Sequence, residues 1–419
     1  MAVAVITFIV ALAVIASERV NRTKVALLGA VIVVLFVGSE YDQELAVEAI
    51  DFNTIGLLAG MMILVYLTQE TGVYDWIAIK AGQLSKGRPF WVVISLAGTT
   101  ALLSAFLDNL TTILLMVPIT FLLADALDVD PIPLIVIEII ASNIGGTATL
   151  IGDPPNIIIA GATDLSFNDF LTNLAPVVFV TFFVVIGILY AVYRRRLKIP
   201  ERNREFVMEM DADSSIRDAG ELKRTGPVLI GTIILFFAHQ ALHIEPATVA
   251  LAGASVALLV TRQNLEETLS GIEWSTLFFF LALFVMVGAL EDTGAIAEVA
   301  NAIKDVTQGD RSAELLGILW ISGIGSGVVD NIPFTTAMIP VVDSINDGDD
   351  DAYWWALALG ADFGGNMTII AAAANVAASG LAQRAGKPIT FIDFFRVGFP
   401  VTIVTLLIAT AYVTLRYIA

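Results

Sequence analysis

The sequence predicts an all-α polytopic membrane protein. It is built as two inverted repeats, each of five transmembrane helices plus one re-entrant hairpin, with broken helices at the midplane. Three observations predict this. Apolar runs of roughly 20 residues recur through all 419 residues, the length that crosses a hydrocarbon core of about 30 Å as helix. Charged residues make up 15% of the chain and mean hydropathy is +0.83, where a soluble domain carries about 25% charge. The chain also repeats its own punctuation at a nearly constant spacing. The alternating short segments of a β-barrel do not occur.

The first apolar run, Val3–Ala16, has no basic residues before it and no small-residue cleavage site, so it reads as a retained helix. "IDFNTIGLLAGMMILVYLTQETG" (Ile50–Gly72) is answered by "IEWSTLFFFLALFVMVGALEDTG" (Ile272–Gly294). The same spacing carries Asp108-Asn109 onto Asp330-Asn331 and Pro118 onto Pro340. At nearly that spacing "GGTATLIGDPPN" (Gly145–Asn156) returns as "GGNMTIIAAAAN" (Gly364–Asn375), and "FNDFLTNLAP" (Phe167–Pro176) as "FIDFFRVGFP" (Phe391–Pro400). The organisation expected is a first repeat at 1–196, a cytoplasmic linker at 197–224 and a second repeat at 225–419.

Basic residues set the orientation. One alternating path puts 19 of the 22 Lys and Arg inside and leaves Lys304, Arg311 and Arg416 outside. Both termini then face outside a cell membrane, and the basic stretch Arg194–Arg224 faces the cytoplasm. Five spans plus a returning hairpin flip the second half, which is the layout of secondary transporters with a site at the repeat interface.

As one straight helix, Pro89 to Leu123 would run about 50 Å at 1.5 Å per residue, too long for one crossing. Two short arms meeting at Asp108-Asn109 fit a re-entrant hairpin. Two full crossings with Asp108 at the far surface fit equally. Irregular backbone at membrane depth is tolerated only where it lines a cavity or is buried in protein.

Four polar clusters stand in this apolar context. Two are tips, "DNLTT" with Asp108, Asn109, Thr111 and Thr112, and "DNIPFTT" with Asp330, Asn331, Thr335 and Thr336. Two are interrupted helices. "SNIGGTATLIGDPPN" offers Asn143, Gly145, Gly146, Thr147, Thr149, Asp153 and Asn156, and "ADFGGNMTIIAAAAN" offers Asp362, Asn366, Thr368 and Asn375. Gly-Gly loosens each helix and Pro154-Pro155 removes two N–H donors, so carbonyls and N–H groups are exposed at the half-helix ends. Carboxylates, amides, hydroxyls and carbonyls are hard oxygen ligands that suit Na+ or a proton. Intramembrane carboxylates are functional by default, whereas a lone Thr or Asn reads equally as interhelical packing. Glu138 has no acidic counterpart, since Leu357 stands at the matching place in the second half. It reads as a proton carrier or a structural partner. His239 and His243 read as interfacial, and "LFFFLALF" (Leu277–Phe284) as a lipid- or helix-facing surface.

Several classes are excluded or disfavoured. The chain has no Cys, which removes disulfides, thiolate metal sites and thiol redox chemistry. Its net charge of −19 speaks against nucleic acid and anionic lipid headgroups. Acidic loops such as "DSINDGDDDAY" (Asp343–Tyr353) read as solvated surface. No GxxxxGK[ST] loop is present, so ATP-driven pumping is not expected of this chain itself, and an ATPase partner is left open but not indicated. Tyr74-Asp75 and Gly152-Asp153 loosely match paired aspartyl-protease motifs, but a duplicated Asp pattern is more than one dyad needs.

At "SAFLDNLTTILLMVP", "NIGGTATLIGDPPNIII", "DNIPFTTAMIPV" and "FFRVGFP" the chain resembles the ion transporter superfamily, in its arsenite-permease and Na+/H+-antiporter (ArsB/NhaD) branch, with P-protein-like members nearest. The likeness covers both halves. It implies hairpins facing broken helices, a mobile transport domain, a scaffold that forms a homodimer, and elevator-like alternating access. More distantly the chain resembles Na+/dicarboxylate (citrate-type) carriers, whose tips carry a neutral Ser where Asp108 and Asp330 stand here.

The expected function is an ion-coupled secondary transporter in the lipid bilayer. It has no cofactor and uses Na+ or H+ as coupling ion. No Lys or Arg falls in a predicted span, so the site is expected to lack a fixed positive charge. A carboxylate 4 Å from an anion costs about 4 kcal/mol even at an effective dielectric of about 20. A neutral arsenite-like hydroxide, or Na+ exchanged for H+, is therefore the expected solute. A chloride or carboxylate transporter, or a passive anion channel, is the alternative.

Overall fold

The computed structural model describes residues 1–419 except 18, 39, 202–207 and 347–349. Parts of the linker and of the 343–353 acidic loop thus lie outside the described residues. Elsewhere short polar side chains start the helices by accepting otherwise unpaired N–H groups. Asn21 caps α2 (Arg22–Phe36), Asp42 caps α3 (Gln43–Glu48) and Asp51 caps α4 (Phe52–Gln69), after an uncapped α1 (Ala2–Ala16). Next come α5 (Val73–Leu84), α6 (Pro89–Phe106), α7 (Asn109–Leu127), α8 (Pro131–Gly146), α9 (Pro154–Gly161) and α10 (Phe167–Tyr193). After the linker follow α11 (Ala219–Ala238), α12 (Pro246–Val260), α13 (Leu265–Ser270), α14 (Trp274–Asp292), α15 (Ala295–Thr307), α16 (Arg311–Val328), α17 (Asn331–Ile345), α18 (Ala352–Gly364), α19 (Ala373–Arg384) and α20 (Phe391–Val413). No strand occurs among the described residues.

Among the described residues, ten helices before the linker recur in the same order after it. The residues just before the helices show the correspondence directly. Asp42, Asp51, Gly72, Arg88 and Asp108 map at one constant spacing onto Asn264, Glu273, Gly294, Asp310 and Asp330, each of which precedes the matching helix. Gly72 and Gly294 both adopt φ +80°, a left-handed turn that glycine enters without steric cost.

Packing exchanges the halves. α2 lies against α14 and α4 against α12, while α7 lies against α19 and α17 against α9. Within each half the hairpin's first arm hugs the broken helix, α6 on α8 and α16 on α18. Glycine permits that approach. A Cβ on Gly145 would strike the Ala101 carbonyl, and one on Gly364 would strike the Gly323 carbonyl.

Among the described residues, six helices are long and apolar enough to cross a membrane, Phe52–Gln69, Pro89–Phe106, Asn109–Leu127, Phe167–Tyr193, Trp274–Asp292 and Phe391–Ile418. α1, α8 and α12 are shorter apolar helices. The arms of the first hairpin, α6 and α7, are each long enough to cross by themselves, yet both turns lie inside the protein. Asn109, Asp330 and Asn331 are buried and Asp108 is half-buried.

Two features depart from expectation. The short helices α5 and α15 carry no strong apolar run, and hydropathy gives no sign of them. α5 is clasped by the linker: the Trp76 indole donates to Asp213 (2.8 Å), Arg217 pairs with Asp75 (2.8 Å) and Gln83 donates to the Met210 carbonyl (2.7 Å). The Trp76 bond, then Lys80, holds the Asp213 carboxyl below the ordinary carboxylate range. His239 is not interfacial but buried, its Nε2 accepting the Phe167 N–H at 3.1 Å and its Nδ1 lying 2.9 Å from the Ile244 carbonyl. The Phe-rich run keeps to the expected surfaces and is mainly helix-facing: Phe279 and Phe280 are fully buried, and Phe278 is exposed.

Candidate functional site

The two tips meet the two helix breaks at the centre of the chain's packing. Each tip aspartate serves first as a helix cap. Asp108 Oδ1 accepts the Thr111 N–H (2.8 Å) and its Oδ2 the Thr111 hydroxyl. Asp330 Oδ1 accepts the Ile332 N–H at 3.0 Å. The neighbouring amides reach across instead. Asn109 donates to Asp153 Oδ2 and Asn331 to Asp153 Oδ1, each at 3.0 Å. One buried carboxylate in the α8–α9 break thus ties both tips together.

Each break is closed by an asparagine. The α8 helix ends at Gly146, leaving carbonyls without intrahelical partners. Asn156 donates to the carbonyls of Thr147 (3.3 Å) and Thr149 (2.9 Å). Asn375 does the same for Gly365 (2.7 Å) and Thr368 (2.8 Å). Asn143 links the two breaks, its amide lying 3.1 Å from Asn375 Oδ1 and 3.2 Å from Asn366 Oδ1. Hydroxyls pin the breaks to the hairpins in matching fashion. Thr149 donates to the Ala105 carbonyl and Thr368 to that of Gly327 (2.8 Å). Ser104 donates to the Ser142 carbonyl (2.8 Å) and Ser326 to that of Ala361.

What remains uncommitted is oxygen. Both carboxylate oxygens of Asp362, Oδ1 of Asn143 and Asn156, and the hydroxyls of Thr112 and Thr335 are buried without a hydrogen-bond partner. The Thr147 and Asn156 side chains lie near Asp362 but outside hydrogen-bond geometry. Thr147 and Thr336 instead donate to carbonyls of their own helices, Asn143 (2.9 Å) and Ile332 (2.9 Å). Asp362 occupies in the second break the place that Asn143 holds in the first, while Ala372 occupies the place of Asp153. The two breaks therefore carry their carboxylates at non-equivalent places.

A family model described as "Citrate transporter" (CitMHS) matches residues 12–360. The chain belongs to the CitMHS family. Its relatives include an "Uncharacterized transporter" of Mycobacterium tuberculosis (strain ATCC 25618 / H37Rv), 44% identical over 99% of this chain and 98% of the relative. The "P protein" of Homo sapiens is 32% identical over 96% of this chain and 58% of that protein. Among solved structures, the Alcanivorax borkumensis YdaH transporter, reported with an unusual topology, superimposes with a TM-score of 0.60 at 15% identity, covering 88% of this chain and 86% of that one. That likeness is one of fold. The chain is a multi-pass membrane transporter of this family.

One sequence expectation about this CitMHS chain is overturned. The site does have a fixed positive neighbour. Arg22, the first residue of α2, reaches Asp330 Oδ2 with Nη1 at 3.1 Å, and its guanidinium lies over the Phe279 ring, 4.9 Å from the centroid. Hydropathy places Arg22 in a loop cluster with Arg19 and Lys24, and only packing brings it to the tip. Glu273, at the start of α14, lies close enough to Asp108 and Arg22 to feel both charges. It too carries no signal in sequence beyond its place opposite Asp51. Glu138 sits away from the tips. Its Oε1 accepts the Thr120 hydroxyl at 2.5 Å and its Oε2 is buried without a partner. Asp75 and Asp153 have separate partners, Arg217 and the tip asparagines, so the protease-like pairing is not assembled. Among the described residues no cluster of three or more His, Asp or Glu gathers as a metal site. A cavity of about 270 Å³ between α14, α17 and α9 adjoins Thr336, with Asp51, Glu291 and Asp343 on its wall.

Proposed function

We propose that this CitMHS chain is a Na+- or H+-coupled secondary transporter that moves its solute by elevator-type alternating access. The observation that carries the reading is the Asp362 carboxylate. It is fully buried, and neither oxygen has a hydrogen-bond partner. An ionised carboxylate left this way is strongly disfavoured, so the group holds a proton or a cation. The free oxygens of Asn143 and Asn156 in the same pair of breaks add acceptors of the kind Na+ requires.

In this reading the tips and broken helices form the moving part, and α2, α4, α12 and α14 the scaffold, which pairs in a homodimer. Inversion of the two halves lets one module face either side. The termini lie outside and the linker in the cytoplasm. Asp108, Asp153, Asp330 and Asp362 outnumber the nearby guanidinium, so the centre attracts cations. Na+ exchanged for H+, or a neutral metalloid hydroxide held by the asparagines, is the solute that this charge balance favours.

A second reading, carboxylate or other anion transport, draws on the citrate-transporter family description and on Arg22, which lowers the electrostatic penalty on an anion. Reconstituted proteoliposomes separate the two. With a pH gradient imposed, proton flux on adding NaCl or arsenite supports the first reading. Flux with succinate or citrate alone supports the second and overturns the first. Unitary currents in a planar bilayer would replace the carrier by a channel.

A further inference from the structure

Arg22 is placed against its own helix. A cation in the first turn of a helix sits at the positive end of the macrodipole, which is unfavourable unless an anion compensates. Here Asn21 caps the helix, accepting the Thr23 N–H at 3.0 Å, and the compensating anion is Asp330 on another element. The pair is shielded, Asp330 being 7% exposed and Arg22 23%. Phe279 braces the guanidinium from below, and the Thr23 hydroxyl fastens α2 to the Ser275 carbonyl of α14 at 2.8 Å. The contact therefore joins a rigid α2–α14 pair to the tip of the second hairpin.

The contact has no counterpart in the other half. Exchanging the repeats carries the start of α2 onto the start of α12, where Pro246 stands, and the start of α14 onto Asp51. Asp51 is already spent on the N–H groups of Asn53 (2.8 Å) and Thr54 (3.2 Å). Asp108, the other tip, is likewise saturated by Thr111. A pseudo-symmetric carrier thus has a charged tie at one end of its stroke and none at the other.

We propose that Arg22 is a positioning residue that holds the unloaded tip in the observed state, and that the coupling cation must displace it from Asp330 before the module moves. This rests on the cation-coupled reading above. Asp330 has one oxygen committed to its cap, so the oxygen facing Arg22 is the one a cation would take. When Asp330 is unloaded the ion pair forms and the empty carrier stays. When it is loaded the tie is lost. Arg22 thereby favours exchange over movement of the empty carrier, without itself carrying the solute.

Two measurements on the full reconstituted chain test this. Radioactive Na+ is followed in equilibrium exchange, with Na+ on both sides, and in net efflux into Na+-free buffer at clamped pH and potential. The ratio of net efflux to exchange should rise about tenfold in R22Q, the size expected when one state of a two-state carrier loses a shielded ion pair, and return toward wild type in R22K. An unchanged ratio overturns the proposal, as does a parallel loss of both fluxes. The second measurement needs no solute. Amide hydrogen exchange in the segment Asn331–Ile345, in Na+-free nanodiscs, should be about tenfold faster in R22Q than in wild type. Equal exchange overturns the tie whatever the protein carries. Faster exchange with no Na+ flux in either protein keeps the tie and fails the cation reading alone.

Discussion

Asn109 and Asn331 donate to opposite oxygens of the same carboxylate, Asp153, each across 3.0 Å, although they belong to different halves of the chain. The pair is equivalent by repeat, and the acceptor is not, because Ala372 stands at the matching place in the second break. One asymmetric residue therefore centres two symmetric tips. Asp153→Asn keeps the shape but replaces one acceptor oxygen by a donor, which faces a donor. Leaving a buried donor unpaired costs about 1–3 kcal/mol. Thermal unfolding in detergent should show D153N destabilised by that order, and a midpoint equal to wild type would show that the tips are held by other contacts.

Asp362 predicts the opposite sign. Its oxygens make no hydrogen bond, so Asp362→Asn removes a buried charge without removing a contact. D362N is expected to be at least as stable as wild type and to lose coupled transport. A ligand that binds only the folded state raises stability by about 2.7 kcal/mol at 100 times its Kd. Added Na+ at neutral pH should thus raise the unfolding midpoint of wild type more than that of D362N. Na+ stabilising both proteins equally would place the cation elsewhere.

The hydroxyls of Thr149 and Thr368 each donate to a hairpin carbonyl at matching positions, Ala105 and Gly327. Thr149→Ala and Thr368→Ala should cost similar amounts, about 1 kcal/mol each for one buried hydrogen bond, and the double variant about the sum, because distant independent sites add. Denaturant unfolding of the three variants checks this. A cost confined to one of them would mean that the two halves are not braced alike.

Membrane orientation is open to a direct test, since the chain has no Cys to interfere. A single cysteine introduced at Ser215, in the linker segment that clasps α5, should react with an impermeant maleimide in inside-out vesicles and not in intact cells. A cysteine near residue 1 should show the reverse. Labelling of the linker from outside would overturn the assigned path.

The helical class, the broken helices and the tips are legible along the chain because each leaves a local signature. Those signatures are apolar length, Gly-Gly with Pro-Pro, and Asp-Asn followed by Thr pairs, most of them written twice at a nearly constant spacing. Backbone chemistry acts over a few residues, so such features need no knowledge of what lies opposite. Partner choice is not legible. Thr149 and Thr368 stand out in sequence, and only the fold shows the hairpin carbonyls to which their hydroxyls donate. His239 reads as interfacial and is buried, and α5 and α15 leave no trace for want of a strong apolar run. The role of Arg22 is invisible because a basic residue at a helix start looks like an ordinary flank until the fold carries Asp330, 308 residues away, to within 3.1 Å. Sequence determines which groups must be satisfied. Only tertiary packing decides by whom, because a buried charge answers to the nearest opposite charge in space, whatever its distance along the chain.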